Sequence, residues 1–572
     1  MLPHQGDGAG GRVELIHVER EHDGTLRIVG EPLLNYPATL LGLLDAAAER
    51  APERAFLVER DARDVWHEVS FETVAMRSHH VAGALRAMGA SEKRPVMILS
   101  GNGIDHAMVT FGALRAGIPV VPVSAKTGLA AHDGFARLQE IAGAVRPGVI
   151  FARDGAAYAP AVHAVAPDAA YVTVTEPAAG TRAFEYARML PHARIERGAA
   201  ERIDGETVAK ILFVSGSTGE TKGVVITHAM IGAMLQGVAQ AWPFLDDHPP
   251  VMVDWLPWSH GLGGNLVLGI ALRHGGTLYV DDGDPTPDRF ERTVRLRAEI
   301  PPTLAFDVPL GWTRWAQRLR ADDALRRRWL SRLDRACWAG ATLAPATRDA
   351  LRAIGVPLAA AWGSTETSPA VALTTGVEPV CDALGVPLAG VELKLVPSGG
   401  AYEACVRGAQ VMRGYFWRAD LTAAAFDGEG FYRMGDVVRP FDVRAPERGL
   451  AFVSRVDERF KLASGVWVLA GDLRAAFLAE CSDVADAVVS GAGLDIVGLL
   501  VWPTAEGRLL DRDVLRAQVA DAMRRLAPDT GPAIRPRRAL IGDARLGTDE
   551  RARAAALARL HASEPDAEVI VI

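Results

Sequence analysis

Residues 211–228 read ILFVSGSTGETKGVVITH, an apolar run that opens into small and hydroxylated residues followed by a lysine. Ser215, Gly216, Ser217, Thr218 and Gly219 let backbone amides approach an anion closely and add hydroxyl donors, and Lys222-Gly223 adds charge, so a polyphosphate suits the loop. The order is not the GxxxxGK[ST] spacing of a mononucleotide-binding loop, and a plain surface turn remains open on this segment alone. A second segment, Trp362-Gly363-Ser364-Thr365-Glu366-Thr367, follows the apolar VPLAAA. Its aromatic could stack on a flat base, its glycine could admit phosphate, and Glu366 could hold a hard cation such as magnesium. A buried tryptophan with a helix-capping box explains the same letters. In Phe431-Tyr432-Arg433-Met434-Gly435-Asp436 the terminal carboxylate can accept both hydroxyls of a ribose. Arg455, Asp457, Lys461 and Gly465 lie in SRVDERFKLASG, where surface charges at a domain junction are the competing explanation.

These segments sit in a chain of 572 residues that is 49% hydrophobic and 23% charged, enough for three or four packed units with a large core. Acidic residues outnumber basic ones, 70 to 62, and no basic run offsets the net charge of −8, which argues against nucleic acid as a partner. Four cysteines stand far apart without metal-ligand spacing, and no signal-like start or long apolar run is present. The expectation is a cytoplasmic protein without a membrane span. Only six of the 62 basic residues are lysines, at 93, 126, 210, 222, 394 and 461, so a lysine near a motif stands out.

From about residue 66, apolar runs bounded by turn residues (RPVMILSGN, IPVVPVS, GVIFARDG, AYVTVTE, AKILFVSGSTG, GGTLYVDDG) alternate with helical patterns such as FETVAMRSHHVAGALRAMG and HAMVTFGALRAG. That alternation predicts an α/β body with parallel strands joined by crossovers. After about residue 385, short alternating segments separated by glycines predict a small antiparallel sheet or distorted barrel. Beyond 470, helix, strand, strand and helix predict a separate α+β domain. Trp312, Trp315, Trp338 and Trp362 could line an aromatic pocket or belong to the core.

Taken together and in this order, SGSTGETKGV, WGSTE, YRMGD and SRVDERFKLASG resemble the phosphate, adenine and magnesium, ribose and hinge motifs of the adenylate-forming superfamily of acyl-CoA synthetases, luciferases and peptide-synthetase adenylation domains. Within it, VDWLPWSHGLGGN, GGTLYVDDGDPTP and FKLASGVWV are similar to the feruloyl-CoA synthase subgroup. The resemblance runs from about residue 35 to 570. It implies a large N-terminal domain over residues 1–453, a hinge over 454–458 pivoting on Asp457, and a small mobile domain over 459–572. It also implies ligation of a hydroxycinnamate to coenzyme A through an acyl-adenylate, with ATP, Mg2+ and CoA as the small molecules, and leaves a homodimer open. Lys222, Glu366 and magnesium would meet phosphate charge, and His260 would border the acyl carboxylate and the thiol tunnel.

One departure stands against that pattern. Such enzymes carry a lysine near the C-terminus that serves adenylation, whereas this chain has none after Lys461. The nearest equivalent position is Glu550, with Arg545, Arg551 and Arg553 able to supply charge though not the same geometry. Three readings are open: an aryl-acid:CoA ligase, a degenerate homologue that binds nucleotide or acyl-adenylate without forming it, and an adenylating enzyme with a non-CoA acceptor.

Overall fold

The computed structural model describes residues 16–131, 134–176, 182–183, 203–215, 221–376, 384–456, 458–526, 534–542 and 550–572. The expected α/β body is present as two large sheets. In the first, the strands run in the order Thr221–Thr227, Val208–Ser215, Val120–Pro122, Val96–Ile98, Val149–Asp154, Ala170–Thr175 and Arg182–Ala183, and only the first pair is antiparallel. The short strand Val96–Ile98 is fully buried, as its unbroken apolar letters require of a strand covered on both faces.

The second sheet has nine strands, with Leu358–Trp362, Arg335–Trp338, Leu304–Asp307, Val251–Asp254, Thr277–Val280 and Ala55–Arg60 parallel at its centre and antiparallel strands at both ends. The helices Phe71–Ala87 and Ile104–Arg115 pack together. Gly112 permits this approach, since a Cβ there would stand 2.3 Å from Val81 Cγ1.

The glycine-separated segments after 385 form an antiparallel sheet with strands Glu392–Ser398, Ala401–Arg407, Tyr432–Pro440 and Leu450–Arg455. Its other edge is made by His17–Arg20 and Leu26–Val29, in register as Leu393 opposite Ile28. These N-terminal strands lie before the span of the resemblance, because two short segments carry too little pattern to announce a partner so distant in the chain. Beyond a hairpin of Arg459–Lys461 and Trp467–Leu469 comes a four-stranded sheet packed by the helices Ala470–Glu480 and Arg512–Arg525. The predicted helix, strand, strand, helix order holds, and the strand Pro536–Ile541 adds a parallel pair to Val497–Pro503.

Trp312 and Trp315 line no pocket mouth. Both are 0% exposed in a separate core with Trp338, and Trp315 stacks on Trp329 at 4.9 Å between centroids. Among the described residues no helix is long and apolar enough to cross a membrane.

Candidate active site

The strand Val208–Ser215 turns back as Thr221–Thr227, with Val214 opposite Lys222 and Ser215 opposite Thr221. Lys222 therefore sits on the returning strand and not in the loop where its place in the motif suggested. The tip, with Gly216, Ser217, Thr218 and Gly219, lies outside the described residues, as does the side chain of Ser215. Thr221 Oγ1 donates to Glu140 at 2.6 Å, tying one stem of the hairpin to the helix Ala136–Val145. On its other side Gly223 accepts from the Phe416 amide at 2.7 Å, and Val224 bridges to Tyr415. This laces the segment 414–416 to the hairpin. The Lys222 ammonium consequently lies 5.5 Å from the centroid of the Tyr415 ring.

Tyr415 connects the hairpin to Glu366. Its hydroxyl donates to Glu366 Oε1 at 2.9 Å, and the Met412 amide donates to the Glu366 carbonyl at 2.8 Å. Glu366 is 9% exposed, at the carboxyl end of the strand Leu358–Trp362 in a single 3-10 turn over Thr365–Thr367. Ser364 and Thr367 cap that turn reciprocally, the Ser364 amide donating to Thr367 Oγ1 at 2.9 Å and Thr367 Oγ1 to the Ser364 carbonyl at 3.0 Å. The capped turn that the competing reading offered is therefore present, and the Glu366 carboxylate on it is buried against the Tyr415 hydroxyl. Gly363 is obligatory, because a Cβ would fall 2.0 Å from the Pro369 carbonyl oxygen. Burial, and then the Glu366 charge, push the Tyr415 phenol well above its usual range. Tyr432 is raised further by the same two causes and by Tyr415. Both phenols stay protonated donors at neutral pH.

The segments that carry Trp362, Asp436 and Arg455 meet at one carboxylate. Trp362 is 6% exposed, and its indole N–H donates to Asp436 Oδ2 at 2.8 Å. Asp436 Oδ1 receives Arg455, which stands opposite it in the sheet register and also donates to the Met434 carbonyl at 3.0 Å. The strand carrying Asp436 is anchored at its start by Phe431, whose ring is approached by Arg27, Lys394 and Arg407 from three other strands. Asp457 lies outside the described residues.

His260 heads the turn that leads into a π-helical stretch over Leu262–Val267. Its ring reaches solvent, yet the protein around it holds its pKa below the ordinary histidine value by desolvation. Pro369 joins this turn to the Gly363 turn, since a Cβ on Gly261 would lie 3.2 Å from Pro369 Cβ. Lys222, Glu366, Trp362, Asp436, Arg455 and His260 are thus linked through shared neighbours.

Lys461 and Gly465 are not drawn into that group. The Lys461 ammonium rests 4.8 Å from the centroid of Trp467 within the C-terminal hairpin, and Gly465, at φ +82°, makes its turn. Glu550 begins the helix Glu550–Leu560, while Arg545 and the side chains of Glu550, Arg551 and Arg553 lie outside what is described. Sequence reasoning missed Tyr415 and Tyr432 as site members. A Gly-Tyr pair 49 residues after Glu366 gives no signal of its contact.

Among the described residues no cluster of three or more His, Cys, Asp or Glu side chains could cage a metal ion. A lone Glu366 fits magnesium instead, which keeps several waters and binds through one or two carboxylates together with substrate phosphates.

Comparison with known proteins places the chain. Residues 44–416 match the family described as AMP-binding enzyme. The chain belongs to this family. Among its relatives is the 4-hydroxybenzoate--CoA/benzoate--CoA ligase of Rhodopseudomonas palustris, 26% identical over 428 residues, which cover 73% of this chain and 75% of that protein. Another is the 4-coumarate--CoA ligase of Pinus taeda, 28% identical over 445 residues covering 73% and 77%. ATP-bound MatB from Rhodopseudomonas palustris shares the AMP-binding fold with a TM-score of 0.70 at 21% identity, over 89% of this chain and 95% of that one. Other matching proteins are much longer, and the chain spans 5%, 24% and 30% of three of them.

Proposed function

We propose that this AMP-binding enzyme joins an aromatic carboxylic acid of the hydroxycinnamate class to coenzyme A through an acyl-adenylate, releasing pyrophosphate and then AMP. The observation that carries the reading is the continuous linkage of Lys222, Tyr415, Glu366, Trp362, Asp436 and Arg455. On this reading Lys222 is the cation for phosphate, Glu366 the carboxylate for a hard ion and Asp436 the carboxylate for a ribose. The ligases acting on 4-hydroxybenzoate or benzoate and on 4-coumarate support an aromatic acid and a CoA acceptor.

In the first half-reaction a substrate carboxylate oxygen attacks the α-phosphorus of ATP, and the bond to the bridging oxygen breaks to release pyrophosphate. A carboxylate is a poor acylating agent, and the mixed anhydride gives it a good leaving group. Lys222 offsets the developing phosphate charge. Asp436 holds the ribose, with Arg455 and Trp362 fixing its two oxygens. Magnesium, when bound at Glu366 with the phosphates, supplies further charge neutralisation. In the second half-reaction the CoA thiolate attacks the acyl carbon and AMP leaves, with His260 bordering the approach. Residues 454–458, which run from the last two residues of the strand Leu450–Arg455 to the hairpin beginning at Arg459, act as the hinge on which the domain 459–572 turns against residues 1–453.

A second reading, a protein that binds acyl-adenylate or nucleotide without forming adenylate efficiently, is favoured by Glu550 standing where a lysine is expected. Acid-dependent ATP–pyrophosphate exchange with 4-hydroxybenzoate, 4-coumarate and ferulate, followed by thioester detection on adding CoA, separates these readings. Exchange and thioester together support the ligase. Exchange without thioester points to another acceptor, and no exchange with any acid leaves the binding protein.

A further inference from the structure

Lys210 is one of only six lysines in the chain and is 4% exposed, on the strand that leads into the phosphate hairpin. The other buried lysine, Lys394, is paired with Asp427 and Glu429. Lys210 instead donates to two neutral oxygens, the Gly264 carbonyl at 2.7 Å and Asn265 Oδ1 at 2.9 Å. The neighbouring titratable groups are His106 and His228, both also held by burial near a pKa of about 4 and therefore neutral. Burying an amine among neutral groups is costly, and an apolar side chain of the same length would avoid that cost. Desolvation accordingly lowers the Lys210 pKa to about 7.

What the amine holds is the segment that presents His260. The Gly264 amide donates to the His260 carbonyl at 2.9 Å, so the peptide unit capped by Lys210 through its oxygen lies directly after the one that fixes His260. The turn cannot shift to another packing easily. A Cβ on Gly263 would stand 2.3 Å from the Leu256 carbonyl oxygen, and one on Gly264 2.3 Å from that of Trp258. The same loop is gripped from a second side by Asn102, whose Nδ2 donates to the Leu256 carbonyl at 2.9 Å and whose Oδ1 accepts from the Trp258 amide at 2.8 Å. His106 then packs edge-on against Trp258 at 5.2 Å. Lys210 is the brace that joins this loop to the nucleotide side.

We propose that Lys210 is a positioning residue for the acyl side of the site: through Gly264 it holds the His260 turn in register with the strand that feeds the phosphate hairpin. The inference rests on the ligase reading for its kinetic consequence but not for its structural one. Both bonds of Lys210 go to the segment that follows His260, so its loss should act on the acid rather than on ATP.

The test compares Lys210→Met with Lys210→Gln, whose amide keeps two N–H donors. In ATP–pyrophosphate exchange, Lys210→Met should raise KM for the acid roughly tenfold or more, the effect of losing strong buried hydrogen bonds. KM for ATP should stay within about twofold, because Lys210 bonds to Gly264 and Asn265 and not to the nucleotide segments. Lys210→Gln should recover most of the loss. Hydrogen–deuterium exchange supplies a readout independent of activity: amides of 258–268 should exchange faster in Lys210→Met, while 221–227 stay protected as in the parent. Should Lys210→Met fail to fold, Asn265→Leu, which removes one acceptor, is expected to loosen the same peptides. Equal rises in both KM values, or unchanged exchange of 258–268 in the folded variants, would overturn the proposal. A parent inactive with every acid would defeat the ligase reading alone, and deuterium exchange would still decide the role of Lys210.

Discussion

Tyr415→Phe isolates one bond in the site. The substitution deletes the hydroxyl that donates to Glu366 Oε1 at 2.9 Å and keeps the ring beneath the Lys222 ammonium. A hydrogen bond to a charged, buried acceptor contributes about 1.5–3 kcal/mol, which at about 1.4 kcal/mol per decade is roughly 10-fold to 150-fold. Groups that orient a metal-binding carboxylate commonly change metal affinity by about 10–100-fold when removed. The concentration of free magnesium that half-saturates pyrophosphate exchange should therefore rise by about 10–100-fold in Tyr415→Phe, with the rate at saturating magnesium largely restored. The effect should be flat between about pH 6 and pH 9, because the Tyr415 and Tyr432 phenols are both raised above their usual range and remain donors there. In a double-mutant cycle with Glu366→Gln the losses should overlap instead of adding. A parental magnesium midpoint in Tyr415→Phe, or a loss confined to KM for the acid, would refute Glu366 as the carboxylate that Tyr415 orients for magnesium.

Lys210 gives a pH dependence of stability with a defined sign. Its folded pKa of about 7 lies below the unfolded value of 10.5, so the unfolded chain binds the extra proton and stability rises between those two values. Relative to Lys210→Met, the parent should become more stable from pH 6 to pH 9 in denaturant unfolding, by on the order of a few kcal/mol, and a difference that does not change with pH would contradict the buried amine. Arg455→Ala should raise KM for ATP by about tenfold or more while the acid KM changes little, since Arg455 fixes the Asp436 oxygen offered to the ribose; parental ATP kinetics would remove that pair from the nucleotide site. Asp457→Pro should impair thioester formation more than adenylation, because proline fixes φ where the hinge must change it, and equal loss in the two half-reactions would move the hinge elsewhere. Glu550→Lys should accelerate exchange and leave thioester formation from preformed acyl-adenylate nearly unchanged; no gain, with exchange lost in Arg551→Ala, would identify an arginine as the working cation.

The sequence alone determined what depends on neighbouring residues. Parallel strands buried on both faces must be apolar without interruption, so Val96–Ile98, Leu358–Trp362 and the first four residues of Val149–Asp154 announced themselves, as did the small and hydroxylated residues after Val214. The joint order of four motifs pointed to the AMP-binding enzyme family before any contact was visible. Tertiary structure decided which atoms meet. Asp436 lies 74 residues from Trp362 and Tyr415 49 from Glu366, and no periodicity links such pairs. Lys222 moved from loop to strand because hairpin register is set by pairing across the turn, which local composition does not specify. The N-terminal strands became an edge of the antiparallel sheet for the same reason, their partner lying far along the chain. Trp312 and Trp315 could serve a pocket or a core, since an aromatic side chain has the same letters in both, and packing against Trp329 put them in the core. Lys210 was conspicuous as a rare lysine, but its meaning required the fold: an amine becomes a brace only where burial removes its water and two oxygens from another segment take its place.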